Sequence, residues 1–245
     1  MYWKNTVKVL LLLFLSLFLT SHTWALPDCP TNSEASWDKC FGGFTYNNGD
    51  IYVGDWGDDL HHGQGTYKWP DGREYIGQWR ANKRNGYGIK TYPNGDRYEG
   101  EWKDDQHNGQ GTYTWKDGAK YSGEVRNGVQ HGRGTYSWSD GKHYIGEFKL
   151  GKAHGKGTLN YPNGDRYIGQ YRNNKKHGHG TFTWGSDGEY QGRQVKQADR
   201  FIGEFAGDFP KGEGIYYHAD GRIEEGNWEG FELVQAKKIS RQKTQ

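Results

Sequence analysis

The stretch GQGTYTWKDGAKYSGEVRNGVQH, residues 109–131, decides the fold of this chain. It is one 23-residue unit, and its pattern returns in phase along most of the sequence. A tyrosine that opens a YxG motif marks each unit, at Tyr52, Tyr75, Tyr98, Tyr121, Tyr144 and Tyr167. Glycine pairs and a further glycine keep the same period. Six in-phase copies indicate a repeat protein, whose units are stabilised by their neighbours.

Each unit is predicted to form a β-hairpin, in which residues 111–115 and 119–125 flank a turn. Three units carry Pro-Asp-Gly or Pro-Asn-Gly at the turn. Proline fits the first corner of a type I turn and glycine takes the left-handed conformation, which gives a three-residue loop. This register places Tyr113 opposite Tyr121, with Trp115 on the same face. A two-residue loop would send Tyr121 to the other face.

The hairpins are predicted to join into an all-β, open, twisted single-layer antiparallel array of about eight hairpins over residues 42–230. A polar stretch is expected to lead from each hairpin to a glycine pair that starts the next strand at positive φ. Gly123 is expected to leave a gap for a neighbouring ring.

One face of this array is predicted to carry the aromatic rings. The predicted rings are Tyr52, Trp56, Tyr75, Trp79, Tyr98, Trp102, Tyr121, Tyr144, Phe148, Tyr167, Tyr171, Phe201 and Phe205. Aliphatic residues are scarce in the body, so most of these rings must stabilise the sheet. An uncovered aromatic patch usually marks an interface, and we therefore expect a homodimer.

Residues 1–25 have the pattern of an export signal. Lys4 and Lys8 precede an apolar run that ends at Leu19, and Ala25 lies at a plausible cleavage site. The apolar run is too short to span a bilayer. An uncleaved, buried N-terminal helix is the alternative. We expect an exported protein of the periplasm or extracellular space, associated with the cell envelope.

The two cysteines, Cys29 and Cys40, lie in residues 26–41, just before the first repeat. In an oxidising compartment they are expected to pair, and to hold an N-terminal cap over the first edge strand. Two free thiols or two metal ligands are the alternatives. At the other end, residues 231–245 are predicted to be a basic tail.

The charge balance argues against nucleic-acid binding. The chain has 32 Lys and Arg against 30 Asp and Glu, and Lys4 and Lys8 lie in the predicted signal. The remaining basic residues include Lys237, Lys238, Arg241 and Lys243 of the tail. The repeat body is therefore neutral to slightly acidic, and it offers no cluster of cations to release counterions from phosphate.

No residue set indicates catalysis or metal binding. His62, His131, His154 and His177 share one repeat position. Equivalent positions stand about 10 Å apart, so these side chains cannot share a zinc ion. Carboxylates recur after the YxG glycine, at Asp55, Glu101, Glu124, Glu147 and Glu204, and are expected to face away from the rings. No nucleophile elbow, phosphate-binding loop or kinase motif occurs, so we expect no enzyme and no cofactor.

The repeats resemble the MORN (membrane occupation and recognition nexus) family, whose unit reads close to YxGxWxxGxxHGxGxxxxxDG. The resemblance covers residues 41–230, and the segment from Cys29 through Trp37 to Gly42 looks like the cap of exported bacterial members. It implies the hairpin-array fold and a role in binding, scaffolding or membrane association. The family offers no catalytic residues to carry over.

The period breaks once, near residues 185–198. The motif at Tyr167 returns at Phe201, 34 residues later instead of 23. The extra residues fall at a hairpin tip and are either a decayed repeat or a protruding contact loop, with Asp187, Tyr190 and Arg193 as its candidate contacts. In the last unit, Glu224 replaces the expected aromatic residue.

Three functions remain open on the sequence alone. The first is a scaffold that binds a protein partner or itself in the cell envelope. The second is association with membranes or anionic phospholipid, which the neutral body does not favour. The third is glycan binding through the aromatic face.

Overall fold

The computed structural model of the chain describes residues 26–30 and 35–241. The predicted signal peptide lies outside the described residues, as do residues 242–245 of the predicted tail. Nineteen strands are formed: β1 Cys40–Thr45, β2 Ile51–Gly57, β3 Leu60–Lys68, β4 Glu74–Arg80, β5 Lys83–Thr91, β6 Arg97–Lys103, β7 Gln106–Thr114, β8 Lys120–Arg126, β9 Val129–Ser137, β10 His143–Lys149, β11 Lys152–Asn160, β12 Arg166–Arg172, β13 Lys175–Thr183, β14 Gly188–Tyr190, β15 Arg193–Val195, β16 Arg200–Ala206, β17 Phe209–Tyr217, β18 Arg222–Glu229 and β19 Glu232–Arg241.

Seventeen of these strands form one antiparallel meander. Each strand pairs with the next along the chain, except that β13 pairs with β16 across the separate β14–β15 hairpin. Strands β1 and β19 are the two edges, so the sheet stays open. The predicted all-β open array of tandem hairpins is therefore confirmed.

Along one side of the sheet, the ends of neighbouring strands are joined by three-residue loops, as the sequence predicts. The Gly118 amide donates to the Trp115 carbonyl at 3.0 Å, and the Trp115 amide donates to the Ala119 carbonyl at 2.9 Å. Gly118 has φ 89°, which glycine adopts without steric cost. Tyr113 pairs with Tyr121, which confirms the predicted register.

Along the opposite side of the sheet, the strand ends are joined by two-residue turns, and the prediction of a polar connecting stretch is wrong there. Asn127 and Gly128 have φ 50° and 78°, and β9 begins at the next residue, Val129. Two positive φ angles define a type I′ turn, whose twist matches that of the flanking strands. Gly132, with φ 54°, therefore lies inside β9, near the register shift opposite Gly123 and Val125.

The core of the sheet is a row of rings on one face, which we call the aromatic face. All thirteen predicted rings are on it, and all are buried within this single chain. Tyr75 contacts Trp79 of its own strand and Trp102 of the next unit edge to face, with centroids 5.1 and 5.2 Å apart. The Trp79 indole N–H donates to the Gly65 carbonyl at 3.2 Å. Buried rings leave no uncovered patch of these residues, so the argument for a homodimer is lost.

The space above the strand glycines is also filled differently from the prediction. A Cβ on Gly134, which pairs with Gly123, would lie 2.7 Å from the Tyr121 hydroxyl. The ring above this glycine pair is thus that of the same unit rather than a neighbouring one. The Tyr121 hydroxyl donates to the Glu124 carbonyl at 2.6 Å, which fixes the ring across the two strands.

Segments outside the predicted repeats pack at both ends of the sheet, beside β1 and as β19. Cys29 and Cys40 form the expected disulfide, with Cα atoms 4.9 Å apart. Asp28 forms a parallel bridge with Phe41, so this segment covers part of edge strand β1. At the other end, the predicted basic tail contains β19, because Phe231 is buried and Leu233 pairs with Trp228. The sheet therefore extends beyond residue 230.

Candidate functional site on the aromatic face

A second row of rings on the aromatic face lies nearer the three-residue loops and reaches solvent. Its members are half-buried and come from the TYxW part of the units, for example Tyr67, Trp69, Tyr113, Trp115, Tyr136 and Trp138. The predicted ring set omitted this row. The 23-residue recurrence of the motif is the signal that would have identified it. These rings form the solvent-facing aromatic surface of the molecule.

One position beside this row varies widely along the array. It pairs with the last residue of the YxGxW motif, or with its substitute in that unit. The residues at this position are His61, Arg84, His107, Gln130, Ala153, Lys176 and Pro210. The backbone repeats while the side chain at this position changes, so the chemistry of the aromatic face changes along the array.

The smallest side chain in this series, Ala153, lies at a cavity of about 400 Å³. The cavity walls are largely aromatic or aliphatic, and Gln130, Lys142 and the exposed Asn174 supply polar groups. Its apolar lining residues include Tyr136, Trp138, Tyr144, Phe148, Leu159 and Tyr171. Apolar pockets with a few polar groups are typical of ligand sites. The recess is wide enough to accept a side chain of another polypeptide segment.

A cationic cluster lies on the aromatic face in the N-terminal half of the array. The Arg84 guanidinium lies 4.4 Å from the Trp102 ring and donates to Asp105 at 2.8 Å. The Lys90 ammonium lies 4.8 Å from the Tyr92 ring and is 9% exposed as a residue. Burial, together with the smaller effect of the nearby positive charge of Arg84, lowers the pKa of Lys90 to about 8.

Two histidines, the buried His61 and the half-buried His107, contribute to the core rather than to a metal site. His61 stacks on Tyr52 and His107 on Tyr98, each with centroids 3.7 Å apart. Burial lowers the pKa of each imidazole to about 4, so both are neutral near pH 7. Within residues 26–30 and 35–241, no three His, Cys, Asp or Glu side chains are grouped as metal ligands.

The repeated carboxylates lie on the opposite, polar face and stabilise the sheet. Glu101 accepts the amide N–H of Gln110 at 2.8 Å, and Glu124 accepts that of Arg133 at 3.0 Å. Asp55 and Glu147 make the same contact in their units. These oxygens satisfy amides beside the bulge glycines, which explains why acids or glutamines recur at this position.

The insertion packs on the chain itself instead of protruding. The Tyr190 ring lies 5.4 Å from Phe182 and 5.2 Å from Phe231. The Arg193 guanidinium lies over Tyr216 at 4.1 Å, while exposed Asp187 bonds within the insertion to Lys196. Of the two alternatives for these residues, the protruding contact loop is thus wrong for Tyr190 and Arg193. The insertion covers the C-terminal end of the aromatic face.

The sequence was compared with models of known protein families. The MORN repeat model matches residues 52–72, 75–97, 98–120, 121–143, 144–166, 167–189 and 201–221. The chain belongs to the MORN-repeat family. This assignment confirms the resemblance in the repeats, and it accounts for seven of the units in the MORN array. No curated protein matches the sequence of this MORN-repeat chain.

Some solved structures share features of this MORN array at low similarity. The SAS-4 (dCPAP) TCP domain of Drosophila melanogaster, in complex with a proline-rich motif of Ana2 (dSTIL), is 11% identical, with a TM-score of 0.41 and coverage of 83% of this chain and 99% of that chain. The G-box domain of the microcephaly protein CPAP is 14% identical, with a TM-score of 0.42 and coverage of 77% and 99%.

In the described part of this MORN-repeat chain, no helix has the length and apolar character needed to cross a bilayer.

Proposed function

We propose that this MORN-repeat chain is a non-enzymatic scaffold that binds a segment of a partner protein on its aromatic face. The observation that carries the proposal is the cavity at Ala153, which lies among half-buried rings and has a partly polar lining. Interfaces place aromatic or aliphatic anchor side chains in such recesses. A cavity of about 400 Å³ accommodates a large apolar side chain.

The insertion supports this proposal because it shows how the aromatic face is covered by a polypeptide segment. Tyr190 packs against rings of the sheet, and Arg193, three residues later, stacks on Tyr216 and donates to Glu224. One aromatic ring and one charged group thus anchor a short β-hairpin. The aromatic face near Ala153 has no such cover among the described residues, and a partner segment would cover it in the same manner.

The proposed site of action is the cell envelope, in the periplasm or outside the cell. The Cys29–Cys40 disulfide supports export, because such bonds persist in oxidising compartments. The proposed export signal itself, residues 1–25, is a separate expectation from the sequence. Within this proposal, the exposed residues of the insertion, such as Asp187, remain candidate contacts.

Association with anionic phospholipid, glycan binding and a homodimer are the competing functions. The thirteen core rings are buried, so a sugar would stack only on the half-buried row. On the polar face, Arg97 is paired with Glu99 at 2.6 Å, so this arginine is not free for a lipid phosphate. A homodimer has lost its main argument. Each of these functions is therefore an outcome that the experiment distinguishes.

The test is a pull-down from the native cell envelope with mature protein that begins at Leu26, together with light scattering. The wild type should recover a stoichiometric protein partner. Ala153→Phe, which fills the cavity, should lose that partner, while Ser122→Phe, which adds the same ring to the exposed polar face, should retain it. Circular dichroism would verify that both variants fold. Recovery of only lipid or glycan by a monomer, or retention of the partner by Ala153→Phe, would contradict the proposal.

A further inference from the structure

Lys90 occupies a position that is apolar or aromatic in every other matched unit. The position pairs with the first residue of the YxG motif. Its occupants are Tyr67, Lys90, Tyr113, Tyr136, Leu159, Phe182 and Tyr216. Lys90 is the one charged side chain in this series and is nevertheless buried. A buried cation in a ring position is costly to folding, and so it calls for a functional explanation.

The surroundings of Lys90 supply ring faces but no counterion. Its ammonium lies 4.8 Å from the Tyr92 ring and 5.4 Å from the Trp69 ring. Among the described residues, no carboxylate forms an ion pair with it and no acceptor forms a hydrogen bond with it. The contacts with Tyr92 and Trp69 stabilise the cation partly, while its N–H donors are left for a further group.

The other charges near Lys90 are already matched. Arg84 is paired with Asp105 at 2.8 Å, and Arg73 with Asp71 at 2.7 Å. Burial keeps His107 neutral near pH 7. The cluster of three cations and two carboxylates therefore has one uncompensated positive charge, on Lys90. A group with a single negative charge balances this cluster, whereas a phosphate dianion would overcompensate it.

We propose that Lys90, between Trp69 and Tyr92, is the binding site for a single carboxylate. The carboxylate would be an acidic side chain or a chain terminus of a polypeptide lying on the aromatic face. The identity of that bearer rests on the proposed function, while the site itself is defined by Lys90 and its neighbours. The ammonium would donate to one carboxylate oxygen, and the flanking rings would exclude water from the pair.

Lys176 is a second buried lysine among rings, and its charged neighbours differ from those of Lys90. Its ammonium also lies against rings, 4.4 Å from Phe182. Its strongest charged neighbours, however, are the carboxylates of Asp208 and Asp165, which raise its pKa against the lowering effect of burial. The charged neighbours with the greatest effect on Lys90 are the cations Arg84 and Arg73. The two carboxylates near Lys90, Asp105 and Asp71, are each paired with an arginine. Among the described residues, by contrast, no ion pair with an arginine or lysine is formed by Asp208 or Asp165 near Lys176.

The test uses mature protein labelled with carbon-13 at lysine Cε, and follows Lys90 by nuclear magnetic resonance. The probes are the acetylated, amidated pentapeptide AYEYA, its glutamine counterpart AYQYA, and inorganic phosphate. We expect AYEYA to shift the Lys90 signal saturably and to bind about tenfold more tightly than AYQYA, which is the contribution of one charge-assisted hydrogen bond. Binding should weaken as the pH rises above about 8, where Lys90 loses its proton.

Two variants separate this site from general attraction. Lys90→Met should abolish the preference for AYEYA over AYQYA. Lys176→Met removes a buried lysine whose ammonium lies 4.4 Å from the Phe182 ring, outside the Ala153 cavity, and it should leave that preference intact. Equal binding of both peptides, an unchanged preference in Lys90→Met, or tighter binding of phosphate than of AYEYA would overturn the carboxylate site. Capture of an envelope partner despite such a result would leave the scaffold proposal standing.

Discussion

Arg193 of the insertion donates from Nη2 to Glu224 Oε2 of the last hairpin at 2.6 Å. Glu224 stands where other units have the YxG tyrosine, and it pairs with Tyr216. His218 also contacts Glu224, at 2.9 Å. Burial alone would raise the pKa of Glu224, but the hydrogen bonds from Arg193 and His218 hold it below its usual value. The insertion supplies the arginine and the last hairpin supplies the glutamate of a single ion pair.

Arg193→Met should destabilise the C-terminal end of the array by about 3 kcal/mol, because it leaves the half-buried carboxylate of Glu224 without its guanidinium partner. The double variant Arg193→Met with Glu224→Tyr restores the ring that other units have and should recover most of this loss. Urea unfolding followed by tryptophan fluorescence measures both effects. Equal midpoints for the wild type and Arg193→Met would show that the ion pair contributes little.

The meander and its register follow from local sequence. The spacing of Tyr113, Lys116–Gly118 and Tyr121 fixes the three-residue loop, and this loop fixes which residues share a face. These relationships span only a few residues and repeat in phase, so they could be predicted. The two-residue turn at Asn127–Gly128 carries an Asn-Gly signal for a type I′ turn, which the expectation of a polar stretch overlooked.

The surface of the array could not be predicted in the same way. Alternation assigns Tyr121 to a face, but whether that face is open depends on where its ring lies across Gly123 and Gly134. The contact between Arg193 and Glu224 joins residues 31 positions apart and belongs to no repeat. Such contacts depend on packing geometry, which periodicity does not specify.

His107→Gln should make the protein less sensitive to acid. Half-buried His107 has a pKa of about 4, against 6.5 for an ordinary imidazole, so the unfolded chain binds a proton that the folded chain does not. The wild type therefore loses stability as the pH falls from about 6.5 to 4, by up to about 3 kcal/mol from this residue. Gln130 occupies the equivalent position in the next unit, so the fold accepts glutamine there.

Urea unfolding of the wild type and His107→Gln at pH 7.5 and at pH 4.5 measures this effect. The difference between the two pH values should be smaller in the variant, while His61, whose pKa is also about 4, keeps the remaining acid sensitivity. An identical acid dependence in the two proteins would mean that His107 is protonated in the folded chain without penalty.

Lys90→Met should stabilise the protein near pH 7, by up to about 3 kcal/mol, because the charged form of Lys90 is disfavoured by burial. Between pH 8 and about 10 the unfolded chain retains a proton that folded Lys90 has lost, so the stability of the wild type rises with pH in this window. The advantage of the variant should shrink over the same window.

Unfolding free energies of both proteins at pH 7 and pH 9.5 provide the measurement. Lys68→Met, at an exposed lysine of the polar face, is the matched control and should show no such pH-dependent gain. Destabilisation by Lys90→Met at pH 7 would indicate that the ammonium is already compensated in the isolated chain. A gain in stability together with a loss of carboxylate binding would mark Lys90 as retained for function at the expense of folding.

Gly111→Ala should be among the most damaging single substitutions, because the tyrosine of the unit lies directly over this glycine. A Cβ at Gly111 would lie 2.3 Å from the Tyr98 hydroxyl and 2.7 Å from its ring carbons. Tyr98 is buried and also donates to the Glu101 carbonyl at 3.0 Å, so it has no free space into which to move. We expect a loss of about 3 kcal/mol or more from this overlap.

Gly118→Ala is the matched control, since it places the same methyl group at the loop of the same hairpin. No atom lies within 4 Å of a Cβ there, and the cost is only that of φ 89° for an alanine, about 1 kcal/mol. Thermal unfolding of the two variants separates steric overlap from backbone strain. If Gly118→Ala were the more destabilised of the two, loop conformation rather than the ring over the paired glycines would limit the stability of the unit.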